Sequence, residues 1–317
     1  MPSPLVVAHD GTDRPTGAAL LAQAVAGFLG APLIVASACS AWPASPLHGA
    51  AFDRLTPEDA GAALARARAA LGTFPGTEYR AVSGVTAASA LTSLARSESA
   101  ALLAVGTSHH AVVAGVAPGS VSEQVLHEAP CPVAVVPPET GRPAIARLAV
   151  ACDGSSAAAE ALAFARTLAE ALGSPVRSID LVVVEDDEPH RILDVRDPGL
   201  FVKGPSAASE WVAREARVPA GSAEVRIVRR PGDPATVLAG MSYEYDVLLM
   251  GSRNHGPLRR VLLGSVSTRL VREARCPIVV CPRRPQREPD RGDGPRRLQV
   301  RIQDELHRPY GRARLGR

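Results

Sequence analysis

The sequence repeats itself, with the same landmarks in the same order in both halves. The second copy of each landmark follows the first by 143 to 145 residues, as in the pairs Asp10 and Asp153, Gly106 and Gly251, Gly119 and Gly264, and Cys131 and Cys276. Landmarks that share nearly one interval indicate a duplicated domain of about 140 residues, rather than a solenoid of short repeats. We therefore predict domains at 1–138 and 146–282, followed by a tail at 283–317.

Each half alternates short apolar runs with alanine-rich stretches of helical spacing. The apolar run 5–9 precedes a predicted helix over 16–29, and shorter strands are predicted over 78–82 and 224–228. This alternation is typical of a parallel sheet with helices on both faces. The prediction is an α/β fold of two tandem doubly wound, Rossmann-like units, each with a five-stranded, mostly parallel sheet.

The tail differs from the rest of the chain in composition. From Arg283 onward it holds eleven arginines and five acidic residues, whereas the whole chain has a formal net charge of only +3. A segment so rich in Arg, Pro and Gly cannot bury a core, so we predict that it is disordered. Because the excess positive charge lies in this tail and not on the folded part, we do not expect nucleic acid to be a partner.

Cysteine usage and hydropathy indicate the compartment. The five cysteines are an odd number and form no Cys-x-x-Cys pair. The sequence shows no signal peptide and no apolar run near the length of about 20 residues that spans a bilayer. We therefore expect a cytoplasmic protein with reduced thiols and no membrane segment.

A glycine-bearing loop joins a strand to a helix near the end of each half. In the second half it runs from Gly251, after the apolar run 246–250, to Gly264, where Ser265 begins a predicted helix. A helix N-terminus offers unpaired N–H groups and a partial positive charge, and glycine lets a ligand approach the backbone. The loop therefore predicts a phosphate site. In a second interpretation, its glycines serve only the turn.

The order of these features resembles the universal stress protein family over residues 4–137 and 146–282. The features are a strand-ending aspartate, a loop that follows Gly-x-x-Gly-x9-Gly-Ser/Thr, a helix and a Cys-Pro-Val-x-Val-Val-like strand. The resemblance implies that at least one half binds ATP, with or without Mg; AMP and cyclic AMP remain open. In the second half it implies nucleotide contacts from Asp153, Leu181, Met250, Gly251, Asn254, Gly264, Ser265, Val266 and Ser267. In the first half the corresponding residues are Asp10, Gly106, Gly119, Ser120, Val121 and Ser122.

Both halves depart from the family motif at its second glycine. That position holds His109 in the first half and Asn254 in the second, and asparagine adopts a left-handed backbone more readily than histidine. The second loop also carries Arg259 and Arg260, which have no counterparts in the first loop and could bind phosphate oxygens. We therefore predict that the second half is the better nucleotide site.

The resemblance implies an ATP-binding stress or regulatory protein, and we assign no catalytic or metal-binding residues. One alternative is a slow ATPase or nucleotidyl-transfer enzyme, but the loop lacks the lysine of Gly-x4-Gly-Lys-Ser/Thr. Another is an interaction module that binds an acidic partner through the tail. We also expect an intrachain pseudo-dimer through the apolar strands 133–136 and 278–281, and leave a homodimer open.

Overall fold

The structure, a computed structural model, describes residues 2–11, 16–40, 56–72, 74–107, 121–138, 140–141, 144–185, 207–252 and 264–282. The described strands are β1 (Leu5–Ala8), β2 (Leu33–Ser40), β3 (Thr77–Gly84), β4 (Leu102–Gly106), β5 (Val133–Val136), β6 (Arg147–Ala151), β7 (Ser178–Glu185), β8 (Glu224–Pro231), β9 (Val247–Gly251) and β10 (Ile278–Cys281). The described helices are α1 (Gly17–Leu29), α2 (Pro57–Leu71), α3 (Ala87–Ser97), α4 (Val121–Glu128), α5 (Ser156–Glu170), α6 (Ala207–Glu215), α7 (Pro234–Met241) and α8 (Ser265–Glu273). The predicted disordered tail lies outside these residues.

The strands form one sheet that runs through both halves. Its order is β3-β2-β1-β4-β5-β10-β9-β6-β7-β8, so the second half repeats the first in reverse across the middle of the sheet. All pairs within a half are parallel. The pair β5–β10 is antiparallel and joins the halves, with Ala134 opposite Val279. The predicted fold class and the predicted contact between the terminal strands are both confirmed.

Burial explains why the two terminal strands meet. Every residue of β5 and β10 is at most 2% exposed, including Val133, Val135, Ile278 and Val280. Burying one such side chain contributes about 1.5–3 kcal/mol relative to leaving it in water. In an isolated half these strands would form an uncovered apolar edge. The halves are therefore parts of one folded unit.

The outermost strands are longer than their sequence pattern predicts. β3 pairs with β2, and β8 with β7, along eight residues each. The apolar pattern weakens along these edge strands because they are partly exposed, so it underestimates their length. Pro231 ends β8 at the edge of the sheet, where a missing N–H costs no ladder hydrogen bond.

Two apolar cores lie on opposite faces of the sheet. Side chains alternate between the faces along each strand, so Leu5 and Val7 contribute to one core and Val6 to the other. Helices α1, α2, α5 and α6 cover the first face, and α3, α4, α7 and α8 cover the second. Alanines fill much of the helix–sheet interface, as expected where aromatic residues make up only 3% of the chain.

Candidate functional site

A cavity of about 380 Å³ opens at the carboxyl ends of β6, β7 and β9 in the second half. The strand β6 lies between the other two. The chain leaves β6 through α5 on one face of the sheet, and it enters β9 from α7 on the opposite face. This reversal is a topological switch point, the place where ligands bind in open α/β sheets.

The structure brings most of the second half's predicted residues together in this cavity. Those that line it are Asp153, Met250, Gly251, Gly264, Ser265, Val266 and Ser267. Asn254, Arg259 and Arg260 lie outside the described residues. The contact of each lining residue with a nucleotide stays a prediction.

Leu181 is not among the residues that line the cavity. Its side chain is 0% exposed and belongs to the core beneath α5 and α6, whereas its neighbour Val182 faces the other side of the sheet and lines the cavity. The cavity is lined by the last four residues of β7, which are Val182, Val183, Val184 and Glu185, so Leu181 lies one residue too far from the strand end. The apolar run has no polar residue between 181 and 184 that would mark where the cavity begins.

The start of α8 forms one wall of the cavity. Gly264 precedes the helix in an extended conformation, with φ −66° and ψ 162°, and its side-chain-free position leaves the helix without a side-chain cap. The carbonyl of Gly264 accepts hydrogen bonds from the Thr268 N–H at 3.0 Å and from the Ser267 hydroxyl at 3.1 Å. The first N–H groups of such a helix have no intrahelical acceptor. They therefore present donors, and the positive end of the helix dipole, to an anion.

Gly251 shapes the opposite wall by allowing close packing. A Cβ at this position would overlap the carbonyl and the side chain of Ala157, in the first turn of α5. At the corresponding Gly106 of the first half, no atom of the described residues lies within 4 Å of such a Cβ. Gly251 is therefore required where β9 meets α5. For this glycine, the close packing supports the interpretation that the loop glycines serve the turn.

Asp153 stands at the mouth of the cavity, directly after β6. Its Oδ1 accepts a hydrogen bond from the Ser155 N–H at 3.0 Å, and Gly154 takes a left-handed φ of 77° to close the turn. Ser155 in turn caps α5, because its Oγ accepts from the Ala158 N–H at 3.1 Å. The exposed carboxylate is thus held at the strand end by the turn that begins the helix.

A polar cluster fixes α7 against α8. Asp233 caps α7 by accepting from the Thr236 N–H and hydroxyl, both at 2.8 Å, and the hydroxyl hydrogen bond is the main reason that its pKa is lowered. From α8, Arg269 donates to the Thr236 hydroxyl at 2.9 Å and lies 3.4 Å from the Asp233 carboxylate. Pro234 and Leu238 of α7 line the cavity, so the cluster holds an apolar wall beside the start of α8.

Sequence reasoning missed several lining residues, among them Cys152 and Glu185. The Cys152 thiol is 6% exposed and donates to the Val150 carbonyl at 3.2 Å. Burial raises its pKa to about 12, so it is an inert packing group and not a nucleophile. Glu185 directly follows the apolar run of β7, and this is the same signal that identified Asp153 after β6.

The first half places its predicted residues at the matching strand and helix ends. The described members are Asp10 after β1, Gly106 at the end of β4, and Val121 and Ser122 at the start of α4. Gly119 and Ser120 lie outside the described residues.

The end of β1 has contacts that differ from those at the end of β6. The Nδ1 of His9 accepts from the Gly11 N–H at 3.0 Å, and Arg66 of α2 donates to the Gly11 carbonyl. His9 is 3% exposed, its buried Nε2 has no hydrogen-bond partner among the described residues, and burial lowers its pKa. The corresponding residue of the second half is Cys152. The duplicated sites have therefore diverged in their surroundings.

Within the part of the chain that the structure describes, no three His, Cys, Asp or Glu side chains are grouped to hold a metal ion. Among the same residues, none of the helices combines the length and the apolar character needed to cross a bilayer.

Comparison with known proteins gives consistent matches to one family. A model of the universal stress protein family matches residues 1–137 and again residues 145–282. The chain is 32% identical over 206 residues to universal stress protein Rv2623 of Mycobacterium tuberculosis (strain ATCC 25618 / H37Rv), a match covering 62% of the chain and 66% of that relative. The chain therefore spans just under two thirds of the length of this curated relative.

Two solved structures are similar to the chain in different ways. A universal stress protein from Archaeoglobus fulgidus DSM 4304 has a TM-score of 0.56 and 20% identity, and the match covers 88% of this chain and 96% of that one. It shares the fold. A universal stress protein solved in complex with cAMP is 30% identical, with a TM-score of 0.31, and covers 43% of this chain and 98% of that one. Because the family model matches nearly all of both halves, the chain belongs to the universal stress protein family.

Proposed function

We propose that this protein binds ATP in the cavity of its second half and acts as a nucleotide-dependent stress or regulatory protein. One observation carries the proposal: a single cavity at the strand switch point is lined by the uncapped start of α8 and by the carboxylate of Asp153. A volume of about 380 Å³ lies within the range of about 300–1,000 Å³ that is typical of small-molecule sites.

Each part of a nucleotide has a suitable counterpart in the lining. The N–H groups at the start of α8 suit phosphate oxygens. The side chains of Val182, Leu238 and Met250 give apolar surface for a purine ring. Asp153 offers a carboxylate that accepts hydrogen bonds from hydroxyl or amino groups. Charge and polarity therefore change across the cavity as they do along a nucleotide.

The choice of ATP rests on family membership together with this lining. AMP and cAMP share its adenosine unit, and cAMP deserves titration because one universal stress protein was solved in complex with it. Magnesium would enter as Mg·ATP, held mainly by the phosphates, since the described residues contain no group of three metal-ligating side chains.

The preference for the second half has support from both sequence and structure. Arg259 and Arg260 belong only to the second loop. In the first half, Arg66 and His9 both bond to Gly11, directly after Asp10, so this strand end is engaged by α2. We infer that the first half binds ATP more weakly.

We also infer a reducing, cytoplasmic setting. All five cysteines are described and buried, and they form no disulfide. Intracellular proteins normally keep their thiols in this state.

Calorimetric titration of ATP into the full-length protein and two matched variants tests the proposal. Gly264→Val adds a branched side chain beside the helix start, and Gly119→Val makes the same change at the duplicated position. We expect Gly264→Val to weaken binding at least tenfold and Gly119→Val to change it less than threefold, with thermal unfolding confirming that both variants fold. Wild-type protein that binds no nucleotide would overturn the proposal, and equal losses in the two variants would overturn the preference.

A further inference from the structure

Arg269 of α8 lies beside the end of the cavity that suits phosphate. It follows Ser265 by four residues and Val266 by three, and both of those residues line the cavity. Residues three and four apart occupy the same face of a helix, with their Cβ atoms about 5–6 Å apart. Long side chains in a helix also lean toward its N-terminus. The Arg269 side chain therefore lies over the first turn of α8, on the face that borders the cavity.

Contacts with α7 fix the position of the Arg269 guanidinium. Its Nη1 donates to the Thr236 hydroxyl at 2.9 Å and lies 3.4 Å from Oδ2 of Asp233. Asp233 is the N-cap of α7, and the next residue, Pro234, lines the cavity. The guanidinium thus lies between the starts of two helices that both form walls of the cavity.

The present partners of Arg269 are exposed and can be exchanged. Its Nε donates to the two carboxylate oxygens of Glu273 at 3.0 and 2.9 Å, and within the described residues Nη2 has no hydrogen-bond partner. The side chains of Arg269, Asp233 and Glu273 are between 42% and 60% exposed. Exposed ion pairs contribute little to stability, so a multiply charged anion can take the place of Asp233.

The lining of the cavity directs a chain of phosphates toward Arg269. The inner walls carry the apolar side chains of Val182, Leu238 and Met250, and Asp153 adds a negative charge. Phosphates beyond the first therefore extend from the start of α8 toward solvent, where the guanidinium lies. This cation is specific to the second half, because Arg269 corresponds to the uncharged Gln124, at the interval that also separates Gly119 from Gly264.

We propose that Arg269 binds the outer phosphates of the nucleotide and so makes the site select ATP over AMP and cAMP. The inference rests on the proposed function, because it requires a nucleotide in this cavity with its phosphates at α8. A guanidinium fork forms bidentate, charge-assisted hydrogen bonds with phosphate oxygens. AMP and cAMP carry a single phosphate, which the N–H groups at the start of α8 bind without help from Arg269.

Calorimetric titrations of the full-length protein with ATP, AMP and cAMP test this inference. Arg269→Gln removes the charge and the fork, and its exposed position lets the variant fold, which thermal unfolding confirms. Arg272→Gln is the matched control, because Arg272 also lies on α8, is 50% exposed and pairs with a carboxylate, that of Glu123. Arg272 follows Ser265 by seven residues, about 10 Å along the helix axis, and so lies away from the cavity.

Wild-type protein should bind ATP about tenfold more tightly than AMP or cAMP, as expected for added hydrogen bonds between charged groups. Arg269→Gln should weaken ATP binding about tenfold and change AMP and cAMP binding less than about threefold, so that the preference for ATP is lost. Arg272→Gln should behave as wild type.

A third variant, Asp233→Asn, separates a phosphate contact from a role in holding α7 against α8. Asparagine keeps an oxygen that can cap α7 but removes the charge that pairs with Arg269. If Arg269 binds phosphate, this variant should bind ATP at least as tightly as wild type. A loss of ATP affinity equal to that of Arg269→Gln would mean that the polar cluster acts only by joining the two helices, and would overturn the inference.

The results also separate a failure of this inference from a failure of the proposed function. If the wild-type protein binds none of the three nucleotides, the proposed function fails and the inference fails with it. If the wild type binds ATP but Arg269→Gln weakens ATP and AMP equally, or neither, only the inference is overturned. Wild-type protein that binds AMP as tightly as ATP would overturn it as well.

Discussion

Adding one methyl group to Gly251 should destabilise the fold, although the same change at Gly106 should not. The new Cβ would lie 2.5 Å from the carbonyl oxygen and 2.6 Å from the Cβ of Ala157, where ordinary contacts begin at about 3.4 Å. The close atoms belong to a helix backbone and a short side chain, so no flexible group can move aside. Forcing an extra methyl group into such a site costs about 1–3 kcal/mol.

The reduced freedom of the unfolded chain offsets this cost by about 0.4–1 kcal/mol in a Gly→Ala change. Gly251→Ala should therefore lower the free energy of unfolding by about 0.5–2.5 kcal/mol. Gly106→Ala puts the new Cβ where no described atom lies within 4 Å, and Gly106 has no positive φ, so this change should leave that free energy unchanged or raise it by up to about 1 kcal/mol.

Urea denaturation followed by circular dichroism measures this difference, with thermal unfolding as a second reading. In domains of 150–250 residues, each kcal/mol shifts Tm by about 2–4 °C, and a longer chain shifts less. Equal stability of the two variants would refute the reasoning, because it would mean that β9 and α5 do not meet as closely as the structure shows.

Three further predictions concern acid stability, turnover and the joined halves. Burial lowers the pKa of His9 below its unfolded value of 6.5, with nearby Arg66 adding to the effect and Asp10 opposing it, so the unfolded chain binds more protons below pH 6.5. Stability contributed by neutral His9 should be lost as the pH falls through and below 6.5. In the variant His9→Cys, which copies Cys152, the free energy of unfolding measured by urea denaturation should depend less steeply on pH between 7 and 5. ATP hydrolysis should be well below the ordinary enzyme rate of ~1 per second, and faster turnover that is lost in Gly264→Val would contradict the regulatory role. Separately expressed halves should associate or self-associate in analytical ultracentrifugation because β5 and β10 are at most 2% exposed; soluble monomers at high concentration would refute this.

The architecture could be predicted because local pattern and global fold agree in this chain. The duplicated landmarks indicated two units, and alternating apolar runs and alanine-rich helices indicated a doubly wound sheet. The apolar character of β5 and β10 indicated that each would pair with another strand, and the family resemblance indicated that they pair with each other. These features depend on composition and spacing along the chain, which the sequence shows directly.

The details of the site depend on contacts that the sequence does not show. Leu181 was assigned to the cavity and Val182 was not, since a continuous apolar run does not show which of its residues reach the site at the strand end. Gly251 is required because Ala157 lies against it, nearly a hundred residues earlier in the chain. Glu185 joins the wall because the parallel register brings the end of β7 beside the end of β6.

A crystal structure of the full-length protein with ATP is the most direct test of the central claim. The account predicts one nucleotide per chain, in the cavity of the second half. Its phosphates should lie at the start of α8, near Gly264 and Ser265, and its adenine end beside Asp153. A nucleotide bound only in the first half, or an empty second-half cavity at saturating ATP, would contradict the account.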